Sequence, residues 1–302
     1  MALAVNNNTS AFNVFSNYSN NIGKMRTSMS RLSSGVKSVT DDPSGLGISE
    51  RMRSQIRSTG MSRQNVENGL SMLQTADSWM QKMNDMLGRM HELGVEAGDG
   101  TKTDSDLNNI QSEFKELQSE IKRVTDGSTA AAKYNGLYLF RGGDGRTVND
   151  ATKGLSIQIG ADVGQKIKID LKQLDSNTTN TETLTYDKAD GTTGTMKWGS
   201  VISSDSHLSV RSDDSLGKIS AAIDHISDSR ATLGAQQNRL KETQSGLLSY
   251  EDNLRAAESK VRDVDMASES TKFSKFQILS QISNAMLAQA NQLPGSALQL
   301  LG

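Results

Sequence analysis

One stretch constrains this chain more than any other. Ile219, Ile226, Leu233, Leu240, Leu247, Leu254 and Val261 recur at every seventh position, six steps without a miss. A seven-residue repeat keeps a single apolar line along one side of a helix. Nothing interrupts it: the only prolines are Pro43 and Pro294, about 250 residues apart, so no residue between them forbids helix. The spacing predicts a helix over 215–262, on the order of 70 Å long at 1.5 Å per residue. Its companion positions Arg230, Gln237, Gln244 and Glu251 are polar. So narrow a stripe suits one helix laid in a groove of a bundle better than a symmetric two-stranded zipper.

Composition narrows the classes. Apolar residues are 34 % and aromatics 4 %, too little bulk for one large core, so the expectation is an elongated architecture with thin cores. There is no cysteine, which excludes disulfides, thiolate nucleophiles and cysteine metal sites and is compatible with life outside the cell. The charge is −2, from 33 basic and 35 acidic residues, which argues against a general binder of nucleic acid or of anionic membranes. No apolar run approaches the ~18 residues of a membrane span. Met1 to Asn6 lack the basic and apolar regions of a secretory signal peptide, and none is expected.

The two ends of the chain match each other and the middle does not. In the first segment Ala11, Tyr18, Met25 and Leu32 form one heptad series and Phe15, Ile22, Met29 and Val36 a second, together one stripe facing a partner helix. Opposite it lie Asn6, Asn7, Asn8, Asn13, Asn17, Asn20 and Asn21. Asparagine costs up to about 0.7 kcal/mol per site against alanine in a helix, so this helix is marginal alone and needs partners. Asp42 is placed to cap a new helix with Pro43 at its first position. That helix carries Val66, Leu70, Leu73, Met80, Met83, Leu87 and Met90 on one face and ends at Gly98, Asp99 and Gly100. Another starts at Thr103 to Asp106 and carries Ile110, Phe114, Leu117, Ile121 and Val124. Asn135-Gly136 between bulky residues reads as a hairpin turn. At the far end Phe276, Leu279, Ile282, Met286, Ala290 and Leu293 make a last helical stripe, which Pro294-Gly295 should end.

From Gly142 to about Arg211 the period becomes two. Ile157 and Ile159, then Ile167, Ile169 and Leu171, alternate with polar residues around a turn at Gly160 to Gly164. Residues 176–206 hold 13 Ser or Thr in 31 positions and little that could pack, which reads as a solvated surface or a loosely held β unit. The fold class is therefore mainly α: a long antiparallel coiled-coil or helical bundle from both termini, with a β-hairpin and a small β-rich outer insertion.

Several motifs at both ends, in the right order, resemble the bacterial flagellins. They are Arg31-Leu32-Ser33-Ser34-Gly35 followed by Asp41-Asp42-Pro43-Ser44-Gly45-Leu46-Gly47-Ile48-Ser49-Glu50-Arg51-Met52, then Asn68 to Ala76, Ile110-Gln111-Ser112-Glu113 and Tyr134-Asn135-Gly136. Near the other end they are Leu233 to Leu240, Glu251 to Leu254, Ala285 to Gln292, and Leu300-Leu301. The sequence departs from the family pattern at Pro43, Ser44, Trp79, His91, Gly94, Gly295 and Ala297, none of which breaks a heptad face.

The resemblance implies a structural subunit, not an enzyme, that self-assembles into the helical flagellar filament for swimming motility. It implies export, unfolded, through the flagellar type III apparatus with its chaperone, and an extracellular site. Other partners would be further copies of the chain, the filament cap and the hook-junction proteins. It further implies three parts: an inner terminal coiled coil of 1–41 and 262–302, a helical core of 42–141 and 211–261, and a small exposed variable domain of 142–210. Association then rests on Phe15, Ile22, Met29, Leu279, Met286 and Leu293 as the polymerisation interface, with intrachain core as the alternative. Leu73, Met80, Leu87, Leu233, Leu240 and Leu247 are assigned to the helical core. Leu87 to Leu93 resembles a segment read by Toll-like receptor 5, with Arg89, Leu93 and Glu113 on matching positions; an ordinary solvated helix face is the alternative.

No catalytic, cofactor or metal site is expected. His91, His207 and His225 are scattered, outside any His-Glu-x-x-His arrangement, and read as surface residues. Gly142-Gly143-Asp144-Gly145 lacks the Lys-Ser/Thr of a phosphate loop and reads as a turn. The methionines at 80, 83, 86 and 90 read as flexible core filler. Asn8-Thr9-Ser10, Asn17-Tyr18-Ser19 and Asn177-Thr178-Thr179 fit the N-glycosylation pattern, the first two by coincidence if buried, and 176–206 could carry O-linked sugars. Two other readings stand beside the filament subunit: a junction or cap-type protein of the same apparatus, and an enzyme displayed on a filament, for which no convergent acid, base or nucleophile is visible.

Overall fold

The computed structural model describes residues 8–38, 42–126, 130–141, 155–175, 183–202, 208–212 and 214–301, the last nine by backbone alone. The glycine-rich turn at 142–145, the glycosylation pattern at 177–179, His207 and the first seven residues, Asn6 and Asn7 among them, lie outside them. Twelve elements follow in order: α1 (Thr9–Ser34), α2 (Pro43–Ala97), α3 (Asp104–Thr125), β1 (Lys133–Tyr134), β2 (Leu137–Tyr138), β3 (Leu155–Gln158), β4 (Lys166–Ile169), β5 (Thr183–Asp187), β6 (Thr193–Lys197), α4 (Trp198–Ile202), α5 (Ser215–Arg262) and α6 (Met266–Leu301). The architecture is mainly α with small antiparallel strand pairs in the middle. Two compact units are distinguishable: one from 1–56 and 252–302, the other from 57–251.

Local chemistry sets the helix boundaries. The Asp42 carboxylate accepts the Gly45 N–H at 2.8 Å, and Pro43, with no N–H to satisfy, opens α2. A capping box starts α3: Thr103 Oγ1 accepts the Asp106 N–H, and Asp106 Oδ2 accepts the Thr103 N–H at 3.0 Å. Helix α5 is unbroken over the predicted span.

Unit 57–251 has one hydrophobic core. Helix α2 brings Val66, Leu73, Met80 and Leu87, α3 brings Ile110, Phe114 and Ile121, and α5 brings Ile219, Ile226, Leu233 and Leu240. Ala222 and Ser229, one turn along from the α5 repeat, are buried too and small. Small residues let a helix sit deep between neighbours. The β1–β2 hairpin turns on Asn135 (φ 48°) and Gly136 (φ 79°), the left-handed pair that a two-residue loop needs.

Strands β3 and β4 pair Ile157 with Ile167 across a turn, and both side chains enter the core. Where the hairpin meets α2, position 69 is glycine. A Cβ there would run into the Ile157 side chain. Asn65 Nδ2 then donates to the Gln158 carbonyl at 3.2 Å, and Gln236 Nε2 on α5 to the Asp170 carbonyl at 2.8 Å.

Two expectations need correction. The described part of 176–206 has apolar anchors in the core: Leu184, Trp198, Val201 and Ile202 are buried. Trp198 Nε1 donates to the Leu174 carbonyl at 2.7 Å, and Gln118 Nε2, itself buried, to the Val201 carbonyl at 2.9 Å. The high Ser/Thr content concealed a few apolar residues that one hairpin face and one helical turn bring together. The second correction is at Pro294-Gly295, which does not end the last helix; α6 continues to Leu301. Proline at 294 cannot donate to the Ala290 carbonyl four residues back. Asn8 Nδ2 donates to that carbonyl instead, at 2.8 Å.

Gly69→Leu should force the β3–β4 hairpin off α2, at a cost of about 1–3 kcal/mol for an overpacked site. Denaturant unfolding should show the loss, and amide exchange should rise over 155–169 while α3 keeps its protection.

Candidate functional site

The unit of 1–56 and 252–302 is built on α1 and α6, packed antiparallel. Asn8 meets Ala290 near one end, Ser28 meets Glu269, and Val36 bridges to Asp263 at the other end. Gly35, at φ 72°, ends α1, its N–H on the Arg31 carbonyl at 2.8 Å. Its own carbonyl accepts the Val264 N–H at 3.0 Å, and the Lys37 N–H donates to the Arg262 carbonyl at 2.9 Å. Arg262 also reaches Glu50 at 3.1 Å, and Ser49 Oγ, fully buried, donates to Glu258 at 3.1 Å.

The two predicted series on α1 separate. Ala11, Tyr18, Met25 and Leu32 are half-buried, in line with Val14, Asn21 and Ser28. The α6 side of the seam is Glu269, Phe273, Phe276, Ser283, Leu287 and Ala290. The other series is mixed: Phe15 is 55 % exposed and Met29 50 %, while Ile22 and Val36 are half-buried. On α6, Met286 is 53 % exposed, alongside exposed Ile278 and Ile282. Leu279 is half-buried, and the Leu293 side chain lies outside the described residues. Two apolar stripes that pair with each other thus leave further apolar surface on both helices.

Asn8 and Asn21 are not on the face opposite the seam. Asn8 caps α1, its Oδ1 accepting the Ala11 N–H at 3.0 Å, while its amide holds Ala290. Asn21 Nδ2 lies 3.4 Å from Ser283 Oγ. The seam also carries a charged cluster that the sequence reading missed. Glu269, 3 % exposed, accepts from Ser28 Oγ at 2.7 Å, Arg31 Nη1 at 3.2 Å and Lys272 Nζ at 3.2 Å. Burial alone would raise its pKa, but the Ser28, Lys272 and Arg31 donors outweigh it and hold the carboxyl below the ordinary glutamate value. The signal was present: the heptad Val14, Asn21, Ser28 puts polar residues on an otherwise apolar line, and Glu269 falls in register with Ser28.

In the unit of 57–251, Leu73, Met80, Leu87, Leu233 and Leu240 are buried in the core and Leu247 is half-buried against it. Met80, Met83 and Met90 are fully buried. Arg89 stays at the surface, with Nε 2.8 Å from Glu113 and Nη1 3.1 Å from Glu92. The Glu113 and Glu92 carboxylates raise its pKa. Leu93 is only 1 % exposed, so its side chain supports this face from beneath. His225 is not a surface residue: its ring lies 5.6 Å from that of buried Trp198. Among the described residues no three His, Cys, Asp or Glu side chains are placed to hold a metal, and no helix is long and apolar enough to cross a membrane.

Comparison with known proteins decides the family. The model of the bacterial flagellin N-terminal helical region matches residues 5–144, and that of the C-terminal helical region matches 216–301. The chain belongs to the bacterial flagellin family. It is 34 % identical to a flagellin of Halalkalibacterium halodurans, over 99 % of this chain and all of that one. It is 38 % identical to a flagellin of Bacillus subtilis over the same shares. It is 35 % identical to the flagellar filament 33 kDa core protein of Treponema phagedenis, again over 99 % of this chain and all of that one. The crystal structure of Bacillus cereus flagellin aligns over 65 % of this chain and 94 % of that one, with 23 % identity and a TM-score of 0.37. Flagellins are structural subunits of the flagellar filament and not enzymes, and this chain is one of them.

Because the Glu269 pKa is depressed in the folded state, its contribution is present above the ordinary glutamate pKa and is lost as pH falls through the depressed value. The α1–α6 pair should therefore loosen at acid pH. Glu269→Gln should cost about 1.5–3 kcal/mol at neutral pH, as for hydrogen bonds to a charged group, and should flatten that acid-side dependence. Amide exchange over α1 and α6 as a function of pH reads both effects.

Proposed function

We propose that the chain assembles by burying the uncovered flanks of its terminal pair against the same flanks of other copies. The observation that supports this is the exposure of Phe15, Met29, Ile282 and Met286 on a helix pair already closed along its own seam. Each such side chain contributes about 1.5–3 kcal/mol when fully buried. Many weak contacts repeated along a lattice make a stiff polymer. A heterologous contact that does not close generates an open helix rather than a ring. In this reading 1–41 with 262–302 form the inner layer and Ile22, Leu279 and Leu293 join the contact. Residues 42–141 with 211–261 form the next layer, and 142–210 face outward.

The filament lies outside the cell. The chain reaches it unfolded, through the flagellar type III apparatus with a chaperone, and polymerises beneath the filament cap beyond the hook-junction proteins. Marginal terminal helices suit such a route, since they order fully only with partners. A low-copy junction or cap-type role is the competing reading.

Removing both tails, or replacing Phe15 and Met286 together by Ser, should leave a folded 57–251 unit and abolish growth of filaments from seeds. Electron microscopy of seeded protein reads the outcome. Native-like tubes from either variant would overturn the assembly reading, and wild-type protein that never elongates seeds would favour the junction role.

Recognition by Toll-like receptor 5 attaches in this reading to Arg89 and Glu113, which are exposed and held together, with Leu93 as their support. Arg89→Asp should lower receptor signalling by monomer about tenfold, the effect of losing roughly 1.4 kcal/mol, with helicity unchanged. Equal signalling from both proteins would remove the receptor from the list of partners.

A further inference from the structure

The chain contains the dipeptide Asn-Gly twice, at Asn68-Gly69 and Asn135-Gly136. Both asparagines are exposed to solvent. Their backbones differ completely. Asn68 lies inside α2, where the Gly69 N–H belongs to the helix ladder. Asn135 is the first residue of a two-residue loop at φ 48°, followed by Gly136 at φ 79°. The β1–β2 register closes on Tyr134 and Leu137, which leaves the Gly136 N–H outside the ladder. Gly136 has no Cβ to hinder an approach to the neighbouring side chain, and nothing lies within 4 Å of where one would be.

We propose that Asn135 is a site of spontaneous deamidation and isoaspartate formation in the folded protein, and that Asn68 is spared. The Gly136 nitrogen attacks Cγ of Asn135. The new C–N bond closes a five-membered succinimide, the Cγ–Nδ2 bond breaks, and the amide leaves as ammonia with the proton from Gly136. Water then opens the ring. Attack at one carbonyl gives aspartate. Attack at the other gives isoaspartate, in which the main chain runs through the former side chain. No oxidant and no enzyme is needed.

The two products differ in consequence. Aspartate tolerates a left-handed backbone much as asparagine does, so it keeps the turn and adds one negative charge. Isoaspartate lengthens the main chain by one carbon inside a two-residue loop between two-residue strands. The pairing of Lys133 with Tyr138 and of Tyr134 with Leu137 cannot keep its register, and Tyr134 and Leu137, which pack against the core, lose their anchorage.

Full-length protein is incubated at mildly alkaline pH, native and in urea, and each asparagine is followed by peptide mapping, with isoaspartyl groups labelled by an isoaspartyl methyltransferase. In the native protein Asn135 should convert at least about tenfold faster than Asn68, because Asn68 reacts only after local opening of α2. In urea the two rates should converge. Equal native rates, or a faster Asn68, would overturn the proposal. So would a tenfold gap that persists in urea, since flanking sequence and not the fold would then set the rates.

Discussion

A pair of helices has two sides, and pairing covers one. The terminal unit depends on that limit. Helices α1 and α6 meet along Ala11, Tyr18, Met25 and Leu32 on one side and Phe273, Phe276 and Leu287 on the other, and this contact leaves Phe15, Met29, Ile282 and Met286 in water. In a membrane-free monomer such flanks are a liability, because exposed apolar stripes associate. In the assembly proposed above they are the surfaces that other copies would cover. Most of the buried apolar side chains belong to the core of 57–251, and the terminal pair is left with a thin seam and open flanks.

The seam is not purely apolar. Glu269 is buried among Ser28, Arg31 and Lys272, and Asn8 and Asn21 donate across it. A buried charge is weak evidence for stability, since desolvation opposes the pairing. What it supplies is register. Slid by one turn, the helices would carry Ser28 and Arg31 away from the Glu269 carboxylate, leaving it only Lys272 of its own helix, and Ala290 would lose the amide that replaces the missing proline N–H. An all-apolar seam would lack that penalty for slipping.

The core of 57–251 works differently. Its helices meet through regular heptads, but its hairpins are held by single fitted contacts: Gly69 under Ile157, Trp198 on the Leu174 carbonyl, and Gln118 on the Val201 carbonyl. These contacts join residues far apart in the chain and have no local signature. That is why the polar middle read as loosely held when its described part is anchored.

The long helices, the Asp42 and Thr103 caps, the Asn135-Gly136 turn and the Ile157 and Ile167 alternation were written in the sequence, because each depends on residues within a few positions of one another; the short α4 was not. The motifs at both ends were enough to suggest the family, and the burial of Leu73, Met80, Leu87, Leu233 and Leu240 followed from their spacing. Tertiary structure decided which of two apolar series on α1 faces α6 more fully, since two heptad series four positions apart look alike until a partner is in place. It also decided that α6 continues past Pro294, because the donor that makes this tolerable, Asn8, comes from the opposite end of the chain. Periodicity carries information about one helix; which side of it is covered is a property of two.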